Sequence, residues 1–397
     1  MANNNKHTGP NVPALRFPEF GGEWETFLLS DLASFSKERV KIETLSTDNY
    51  VSTEDMQQDF AGVKEAISLP SSGNAVAFQI GDILISNIRP YLRKIWLADR
   101  NGGCSTDVLS LRTKNEKVDS AFLYCCLAND GFVSYVMSGA KGVKMPRGDK
   151  QHISSFSLGV PTIKEQKKIS DLISLLETRI STQIKIIEGL TTLRSALHHQ
   201  IMRNGLADGS WEHKMLSEVL SERTELNSEG HAVHSVSVSK GIVNQIEYLG
   251  RSFAAKDTSK YHVACPGDIV YTKSPTGEFP YGIVKQSQIT IKAALSPLYG
   301  VYTPASSEIG YIIHNHFLSA KNALNYLHPL IQKGAKNTIN ITNQRFLQNI
   351  IPLPLNQNAA DLYSRTIKAV SDKIAIEGSI LNKLQLQKSY FLQAMFI

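Results

Sequence analysis

Two long stretches of the chain carry apolar residues at intervals of three and four positions. The first follows Pro161 and reaches about Met202, and the second begins beyond Pro354 and reaches the last printed residues. Such spacing, sustained over about 40 residues, is typical of long helices that pack on other helices. The residues that we expect in the helix pairing are Ile173, Leu176, Ile180, Ile187, Leu190, Ile367, Val370, Ile374, Leu381 and Leu384. Packing in separate bundles, or between two chains, is the alternative to pairing within one chain.

The segments that precede the two helices have a different pattern. Short runs of β-forming residues, such as 82–86 and 268–272, are separated by clusters of Gly, Pro, Asn and Ser that are typical of turns. We therefore predict a globular domain of mixed α and β structure before each helix.

Short motifs of the first half recur in the second half in the same order, about 190 residues later. The matched pairs are Glu23-Trp24-Glu25 with Ser210-Trp211-Glu212, Gly81-Asp82-Ile83 with Gly267-Asp268-Ile269, Gly139-Ala140-Lys141 with Gly334-Ala335-Lys336, and Pro161 with Pro352. A repeat of this length exceeds that of a solenoid, whose repeats have about 20–50 residues. The chain is predicted to contain two copies of one domain-sized unit.

The predicted fold class is α+β, with two mixed α/β domains that are each followed by a long helix. Pairing of the helices as an antiparallel coiled coil would relate the two copies by a pseudo-twofold axis. The predicted boundaries are 1–20 for an N-terminal tail, 21–160 for domain 1, 161–203 for the central helix and spacer, 204–355 for domain 2, and 356–397 for the C-terminal helix.

The composition is that of a folded protein large enough for two domains, with 397 residues, 42% hydrophobic and 20% charged. The sequence has neither an apolar run long enough to cross a bilayer nor the apolar stretch of a signal peptide, so we expect a cytoplasmic location and no membrane partner. The four cysteines contain no CxxC motif. The net charge of +6 modestly favours an anionic polymer as the partner.

Motifs of known enzyme classes are absent from the sequence, including the phosphate-binding loop, the nucleophile elbow and the dinucleotide fingerprint. We therefore predict no catalytic residues. The close histidine pairs, His314 with His316 and His198 with His199, have no neighbouring carboxylate or thiolate cluster, and no metal site is predicted. Asp82 and Asp268 fit a structural turn that enters a buried strand better than they fit a catalytic acid.

Basic residues cluster with aromatic, hydroxyl and amide residues at corresponding places in the two copies. Such side chains can bind guanine and adenine edges and phosphate oxygens, which indicates DNA-binding loops. The candidates are Arg89, Tyr91, Arg93, Lys94, Lys141, Lys144 and Arg147 in the first copy, and Lys273, Ser274, Thr276, Lys333, Lys336, Asn337 and Asn340 in the second. The alternative for any one cluster is a solvated surface loop.

Several of these motifs resemble the specificity subunits of type I restriction-modification enzymes. They are the opening Leu15-Arg-Phe-Pro-Glu-Phe, Gly81-Asp-Ile-Leu with Arg89-Pro-Tyr-Leu-Arg-Lys, the segment that begins at Pro161-Thr-Ile-Lys, and the terminal Ser389 to Phe396. In order and spacing, the resemblance covers nearly the whole chain. The second copy departs from it, because Lys273-Ser-Pro-Thr-Gly-Glu replaces the Arg-Pro-Tyr-Leu-Arg-Lys segment.

The resemblance implies that each domain recognises one half of a bipartite, gapped double-stranded DNA site, and that the paired helices set the gap. It further implies docking of two modification (methyltransferase) subunits and of restriction subunits. S-adenosylmethionine, ATP and Mg are then expected on those partner subunits, with no cofactor bound by this chain. Two other hypotheses remain, an enzyme with an unfamiliar site and a coiled-coil scaffold with two protein-binding heads.

Overall fold

A computed structural model describes residues 11–114, 116–333 and 339–397, except for the side chains of Lys333 and Ile339. The chain divides into two compact units. Unit 1 contains the described residues as far as Ile184 together with Ser379–Ile397, and unit 2 contains Lys185–Gly378. Each of the two long helices therefore contributes one segment to each unit.

Unit 1 is built mainly from short strands, followed by three short helices and the first long helix. Its strands are β1 (Glu25–Leu28), β2 (Ala33–Phe35), β3 (Arg39–Lys41), β4 (Tyr50–Val51), β5 (Asn74–Phe78), β6 (Ile83–Ser86), β7 (Ile95–Leu97), β8 (Gly102–Cys104), β9 (Val108–Thr113) and β10 (Ser157–Val160). Its helices are α1 (Leu29–Leu32), α2 (Ser120–Leu127), α3 (Asp130–Ser138), α4 (Lys150–Ser154), the first part of α5 (Ile163–Asp208) and the second part of α10 (Gln357–Ala394).

Two four-stranded sheets organise unit 1, in the orders β2-β9-β6-β7 and β3-β5-β8-β4, and β1 pairs with β10. The strand neighbours are antiparallel except for β4 and β8. Trp24 lies in the main core and packs edge-on against Phe122 of α2. Ile169 and Ile173 of α5 and Met395 belong to the same core, so the long helices are part of the unit.

Unit 2 has the same plan with additional hairpins. Its strands are β11 (Trp211–Met215), β12 (Leu220–Glu222), β13 (His234–Ser237), β14 (Gly241–Asn244), β15 (His262–Ala264), β16 (Ile269–Tyr271), β17 (Val284–Gln286), β18 (Ala293–Leu295), β19 (Gly300–Pro304), β20 (Gln332–Lys333), β21 (Ile339–Asn340) and β22 (Ile350–Pro354). Its helices are α6 (Gln245–Leu249), α7 (Ser307–His316), α8 (Ala320–Leu327), α9 (Asn343–Phe346), the second part of α5 and the first part of α10 (Gln357–Ala394).

The strand orders show that the repeat seen in the sequence is a repeat of the fold. The sheet β12-β19-β16-β17 has the connectivity of β2-β9-β6-β7, and β11 pairs with β22 as β1 pairs with β10. Trp211 is buried in the core of unit 2, as Trp24 is in unit 1. The two units differ in the segments outside this scaffold, where unit 2 has the hairpins β13–β14 and β20–β21.

The repeated Gly-Asp motif has a structural role in each unit. Gly81 has a φ of +87°, in the left-handed region that glycine adopts without strain, and Asp82 is only 2% exposed. The carboxylate of Asp82 accepts hydrogen bonds from the backbone N–H of Gln79 at 2.9 Å and from the Nε and Nη2 atoms of Arg112, both at 2.9 Å. A buried carboxylate with this many donors fixes the turn into β6.

Unit 2 repeats this arrangement with the arginine in a different strand position. Asp268 accepts from the backbone N–H of Cys265 at 2.7 Å and from Arg223, whose Nε lies 2.7 Å and whose Nη2 lies 3.1 Å from the carboxylate. Arg223 follows β12, whereas Arg112 lies on β9. The carboxylate is therefore retained, and the strand that supplies its guanidinium changes.

The long helices run antiparallel within each unit. In unit 1, Lys388 donates to Glu177 at 2.6 Å, and the earlier Ile173 shares a core with the later Met395. In unit 2, His198 and the hydroxyl of Tyr363 are 2.6 Å apart, while the earlier Arg194 and the later Ser371 line one cavity. All ten residues predicted for the helix pairing are buried or half-buried. The predicted fold class, with mixed α/β domains and long paired helices, is confirmed.

The end of α5 differs from the boundary at 203. Gly205 lies inside the helix and does not end it. The indole of Trp211 packs beside this glycine, where a Cβ would lie 2.1 Å from the ring. The helix continues to Asp208 and ends at Gly209, which has a φ of +77°. None of the helices in the described ranges has the length and apolar character that a bilayer crossing requires.

Candidate functional site

The candidate site in unit 1 contains two loops, 87–94 and 141–150, named here the first and second basic loops. The first begins where the buried strand β6 ends. Pro90–Leu92 form a turn of 3-10 helix between Arg89 and Arg93, and both arginines have left-handed backbone conformations, with φ values of 50° and 56°. Such conformations are uncommon for residues with a side chain and need support from neighbouring structure.

The second basic loop provides part of that support. The backbone N–H of Arg89 donates to the carbonyl of Pro146 at 2.8 Å, and the N–H of Gly148 donates to the carbonyl of Asn87 at 3.0 Å. Within the second loop, Lys141 and Arg147 exchange two backbone hydrogen bonds of 2.9 Å. The structure therefore brings together two clusters that the sequence predicted separately.

Arg93 and Lys94 are engaged inside the unit. The guanidinium of Arg93 lies 3.0 Å from a carboxylate oxygen of Asp59 and 2.8 Å from one of Asp130. These contacts raise the pKa of Arg93, chiefly through the hydrogen bond with Asp59. The ammonium of Lys94 donates to the carbonyl of Thr53 at 2.7 Å, and burial lowers its pKa. Both side chains hold the first basic loop in place.

Two cations of the second basic loop also have acidic partners. Arg147 lies 2.8 Å from Asp107, and Lys141 lies 3.0 Å from Asp149. Lys141 is well exposed, and an exposed ion pair contributes about 0–1 kcal/mol, so this side chain can exchange its partner for a phosphate at little cost.

Three predicted residues of unit 1 point no polar group at a partner within the described part of the chain. Arg89 and Lys144 are exposed and make no side-chain hydrogen bond or ion pair there. Tyr91 is 48% exposed and leaves its ring and hydroxyl accessible. An arginine, a lysine and an aromatic ring on one supported loop pair are suited to contacts with phosphates and base edges.

The corresponding loop of unit 2 follows β16. Lys273 is half-buried; burial lowers its pKa, and the nearby Glu222 opposes that change. Ser274 and Thr276 are exposed, and the Thr276 hydroxyl donates to the carbonyl of Ser274 at 3.4 Å. A backbone bridge between Thr276 and Phe279 closes this loop on itself. The loop therefore offers one ammonium and two hydroxyls.

The second predicted cluster of unit 2 is only partly described. Lys336 and Asn337 lie outside the described residues, and of Lys333 only the backbone is described, paired with Ile339. Asn340 is exposed at the end of β21, opposite Gln332. Asn340 is thus the described candidate at which an amide side chain is accessible in this cluster.

Sequence reasoning missed a pair of basic residues on β3. Arg39 and Lys41 are exposed and lie on an edge strand, because β3 ends the sheet order β3-β5-β8-β4. Their signal in the sequence was the alternation of basic and apolar residues around Val40, which places both cations on the same face of the strand. They add exposed positive charge to unit 1.

Three of the four cysteine thiols are buried. Burial raises the pKa of the Cys104 thiol to about 12, and Cys125 and Cys126 are also buried and free. Within the described ranges, no three or more His, Cys, Asp or Glu residues form a group that could hold a metal ion.

Comparison with known proteins finds similarity over part of the sequence. The model of the type I restriction modification DNA specificity domain matches residues 21–192. The type I restriction enzyme EcoDI specificity subunit of Escherichia coli is 29% identical over 92 residues, which cover 23% of this chain and 20% of that protein. The MjaVIII specificity subunit of Methanocaldococcus jannaschii is 25% identical over 205 residues, which cover 50% of this chain and 45% of that protein. The matches therefore span less than half the length of these curated relatives.

Two solved structures share the fold over almost the whole chain. The S subunit of a type I restriction-modification system from M. genitalium has a TM-score of 0.60 at 13% identity, with 97% of this chain and 99% of that chain covered. A chain from a study of complex assembly and conformational transition of the type I R-M system has a TM-score of 0.50 at 16% identity, with coverage of 93% and 96%. In its duplicated scaffold, its long helices and the segment matched by the family model, the chain is similar to the specificity subunits of type I restriction-modification systems.

Proposed function

We propose that each unit recognises one half of a gapped, bipartite site in double-stranded DNA. The observation that carries this proposal is the contrast between a repeated scaffold and divergent loops. The sheets, the Asp82 and Asp268 turns and the buried tryptophans recur, whereas the loops after β6 and β16 carry different polar groups. Two related scaffolds with different loops are suited to two unequal half-sites.

The exposed cations support a DNA partner over a protein partner. Arg89, Lys144, Arg39 and Lys41 lie exposed in unit 1, and phosphate contacts contribute most of the sequence-independent affinity for DNA. A scaffold with two protein-binding heads is the alternative function. Binding that falls steeply with salt would distinguish the two functions, because phosphate contacts release counterions.

The long helices are proposed to dock two modification subunits, with restriction subunits joining the assembly. Apolar side chains remain exposed on α5 and α10 outside the helix pairing: Leu175, Leu386 and Tyr390 in unit 1, and Leu193, Leu362 and Ile376 in unit 2. Exposed apolar residues on repeated helical segments suit two copies of one partner. In this proposal the chain has no catalytic role and binds no cofactor itself, and S-adenosylmethionine, ATP and Mg bind to the partner subunits.

The test is a genome-wide map of N6-methyladenine in cells that carry a partner methyltransferase, with and without this gene. We expect a gapped motif to lose methylation when the gene is deleted and to regain it when the wild-type chain is supplied. Supplying the Arg89→Ala variant should change the sequence preference in one half of the methylated motif and leave the other half unchanged. Methylation that is unchanged by the deletion would contradict the proposed function.

A further inference from the structure

Unit 2 contains a cavity of about 830 Å³ that the proposed DNA recognition does not use. It lies among the α5 segment, the β13–β14 hairpin, β17, α7 and the α10 segment, all within the unit. Arg194, Lys240 and Lys285 are its cationic lining residues. Glu278 also lines it, but this side chain is exposed to solvent. The size is within the range of cavities that bind small molecules.

Lys285 is the unusual member of this group. It lies on β17, opposite Val270 of β16, and is only 5% exposed. In the described part of the chain, no carboxylate pairs with it and its ammonium makes no side-chain hydrogen bond. Burial, with a smaller contribution from Arg194, lowers its pKa to about 8, which leaves the group charged near neutral pH. A buried charge without a partner is costly unless a ligand neutralises it.

His314 adds a neutral hydrogen-bond donor beside these cations. Its Nδ1 accepts from the backbone N–H of Gln286 at 3.1 Å, which assigns the ring proton to Nε2. Burial, followed by Lys285 and Arg194, lowers the pKa of His314 to about 3, so the ring stays neutral. His314, Lys285 and Arg194 all line the same cavity.

Ser371 on α10 adds a fourth donor. The hydroxyl of Tyr311 donates to the Ser371 oxygen at 3.0 Å, so the Ser371 proton remains available. The cavity therefore combines a buried ammonium, a guanidinium, an imidazole N–H and a hydroxyl. A set of donors with excess positive charge is complementary to a ligand that carries several acceptors and negative charge.

We propose that this cavity binds a small molecule through its phosphate group, with Lys285 and Arg194 as the charged ligands and His314 and Ser371 as hydrogen-bond donors. The depth of Lys285 favours a small ligand over a phosphate of duplex DNA. A duplex backbone is broad, and it would have to place one phosphate against a side chain that is 5% exposed and enclosed by two long helices. This inference is independent of the proposed DNA recognition.

The experiment measures thermal unfolding of the full chain with inorganic phosphate, AMP and adenosine, against sodium chloride of equal ionic strength. Phosphate and AMP should each raise the melting temperature, since a ligand that binds only the folded state stabilises it, and adenosine should not. A response to phosphate alone would identify the free anion as the ligand. A stronger response to AMP would identify a phosphorylated organic molecule.

Lys285→Met tests the site because it removes the charge and keeps the length of the side chain. It should weaken phosphate binding at least about tenfold, as expected for the loss of one charge-assisted hydrogen bond. The free variant should melt no lower than wild type, because an unpaired buried charge has been removed. Lys260→Met is the matched control: it makes the same change in net charge at an exposed residue outside the cavity.

Arg194→Gln, at a half-exposed position of α5, gives a second test if Lys285→Met does not fold. It too should weaken phosphate binding. The proposal is refuted if phosphate stabilises Lys285→Met or Arg194→Gln as much as it stabilises the wild type, or if neither phosphate nor AMP acts beyond chloride. If phosphate and AMP have no effect and Lys285→Met instead weakens duplex binding, Lys285 contacts DNA, which likewise refutes the proposal.

Discussion

In unit 2 the guanidinium that binds the buried carboxylate comes from Arg223, just after β12, whereas in unit 1 it comes from Arg112 on β9. Supplying the guanidinium of unit 1 from the position equivalent to Arg223, in place of Arg112, should preserve the fold of unit 1. Leu111 of β9 pairs with Ile83 and Phe35, as Tyr302 of β19 pairs with Ile269 and Glu222. This register aligns Arg112 with Thr303 and Ser36 with Arg223. Thr303 donates to Asp268 at 3.2 Å, so each unit has a guanidinium at one of two equivalent positions.

A second carboxylate is also in the same relative place in both units. Glu38 lies 3.1 Å from Arg112, and Glu225 lies 3.3 Å from Arg223. Glu38 is two residues after Ser36, as Glu225 is two residues after Arg223. An arginine at position 36 would therefore lie beside Asp82 and Glu38, which are the counterparts of the two carboxylates that bind Arg223 in unit 2.

Arg112→Thr alone should be costly. Asp82 is 2% exposed and would lose two hydrogen bonds of 2.9 Å, while keeping those from Gln79 and from Ser110, the latter at 3.2 Å. Removing one partner of a buried ion pair costs about 3–5 kcal/mol. Because the Arg112 side chain is partly exposed, water can replace some of the lost contacts, and we expect about 3 kcal/mol, at the lower end.

Ser36→Arg combined with Arg112→Thr should recover much of that loss, with a coupling free energy of about 1–3 kcal/mol between the two positions. Ser36→Arg alone is the control, since it adds a second cation to a satisfied carboxylate and loses the Ser36 hydrogen bond to Ala77. The recovery would show that the turn requires a guanidinium at Asp82 but not the strand that supplies it.

Hydrogen exchange detected by mass spectrometry is the suitable assay, because peptides from β6 and β9 are measured separately from those of unit 2. A loss of about 3 kcal/mol corresponds to exchange in these peptides that is roughly 100-fold faster. The double variant should exchange more slowly than Arg112→Thr. An effect of Arg112→Thr below tenfold, or a double variant that exchanges as fast as Arg112→Thr, would refute the reasoning.

Three further predictions concern DNA, partners and pH. Arg89→Ala should cost about 1–3 kcal/mol of DNA-binding free energy at one base position if Arg89 contacts a base, or reduce the slope of log affinity against log salt concentration by about one if it contacts a phosphate. Arg93→Ala should mainly destabilise unit 1. DNA binding by the assembled complex across a salt series measures the first effect, and urea unfolding measures the second. Leu386→Glu, at a residue that is 71% exposed, should leave unfolding unchanged and weaken modification-subunit binding by at least about 1 kcal/mol in calorimetry, and an unchanged affinity would exclude this residue from the interface. Burial lowers the pKa of His198 to about 3, below its value of about 6.5 in the unfolded chain, so unit 2 should lose up to about 1.4 kcal/mol per pH unit from this residue as the pH falls from about 6.5 toward 3. His198→Gln should reduce that dependence in urea unfolding by the share of this one residue, because His314 has a similarly lowered pKa and keeps its own share. An equal slope in the variant would assign the whole dependence to other groups.

Periodicity and repetition were sufficient to predict the scaffold. The spacing of apolar residues predicted both long helices, and the matched motifs predicted two units before any strand order was known. The end of α5 was not predictable in the same way. The Trp211 ring occupies the space where a side chain at position 205 would lie, so a glycine is needed inside the helix. That contact depends on how the chain folds back after Gly209.

The basic loops show where sequence reasoning stops. It grouped Arg89, Arg93 and Arg147 by charge and position, and no local pattern distinguishes them. Their partners do: Arg93 meets Asp59 and Asp130, and Arg147 meets Asp107. These acids are distant in sequence and come into range only through the tertiary fold, so burial and pairing had to be known first.

The partners of these cations suggest two different roles for the basic residues of the first basic loop. Arg93 and Lys94 hold the first basic loop, with its left-handed residues, against the rest of unit 1, and Arg89 is thereby presented to solvent without a competing carboxylate. An arginine that is already paired must give up its partner before it binds DNA, whereas an unpaired one on a supported loop loses less freedom on binding. Arg93 and Lys94 should therefore determine whether the first basic loop is correctly placed, and Arg89 should determine which DNA it binds.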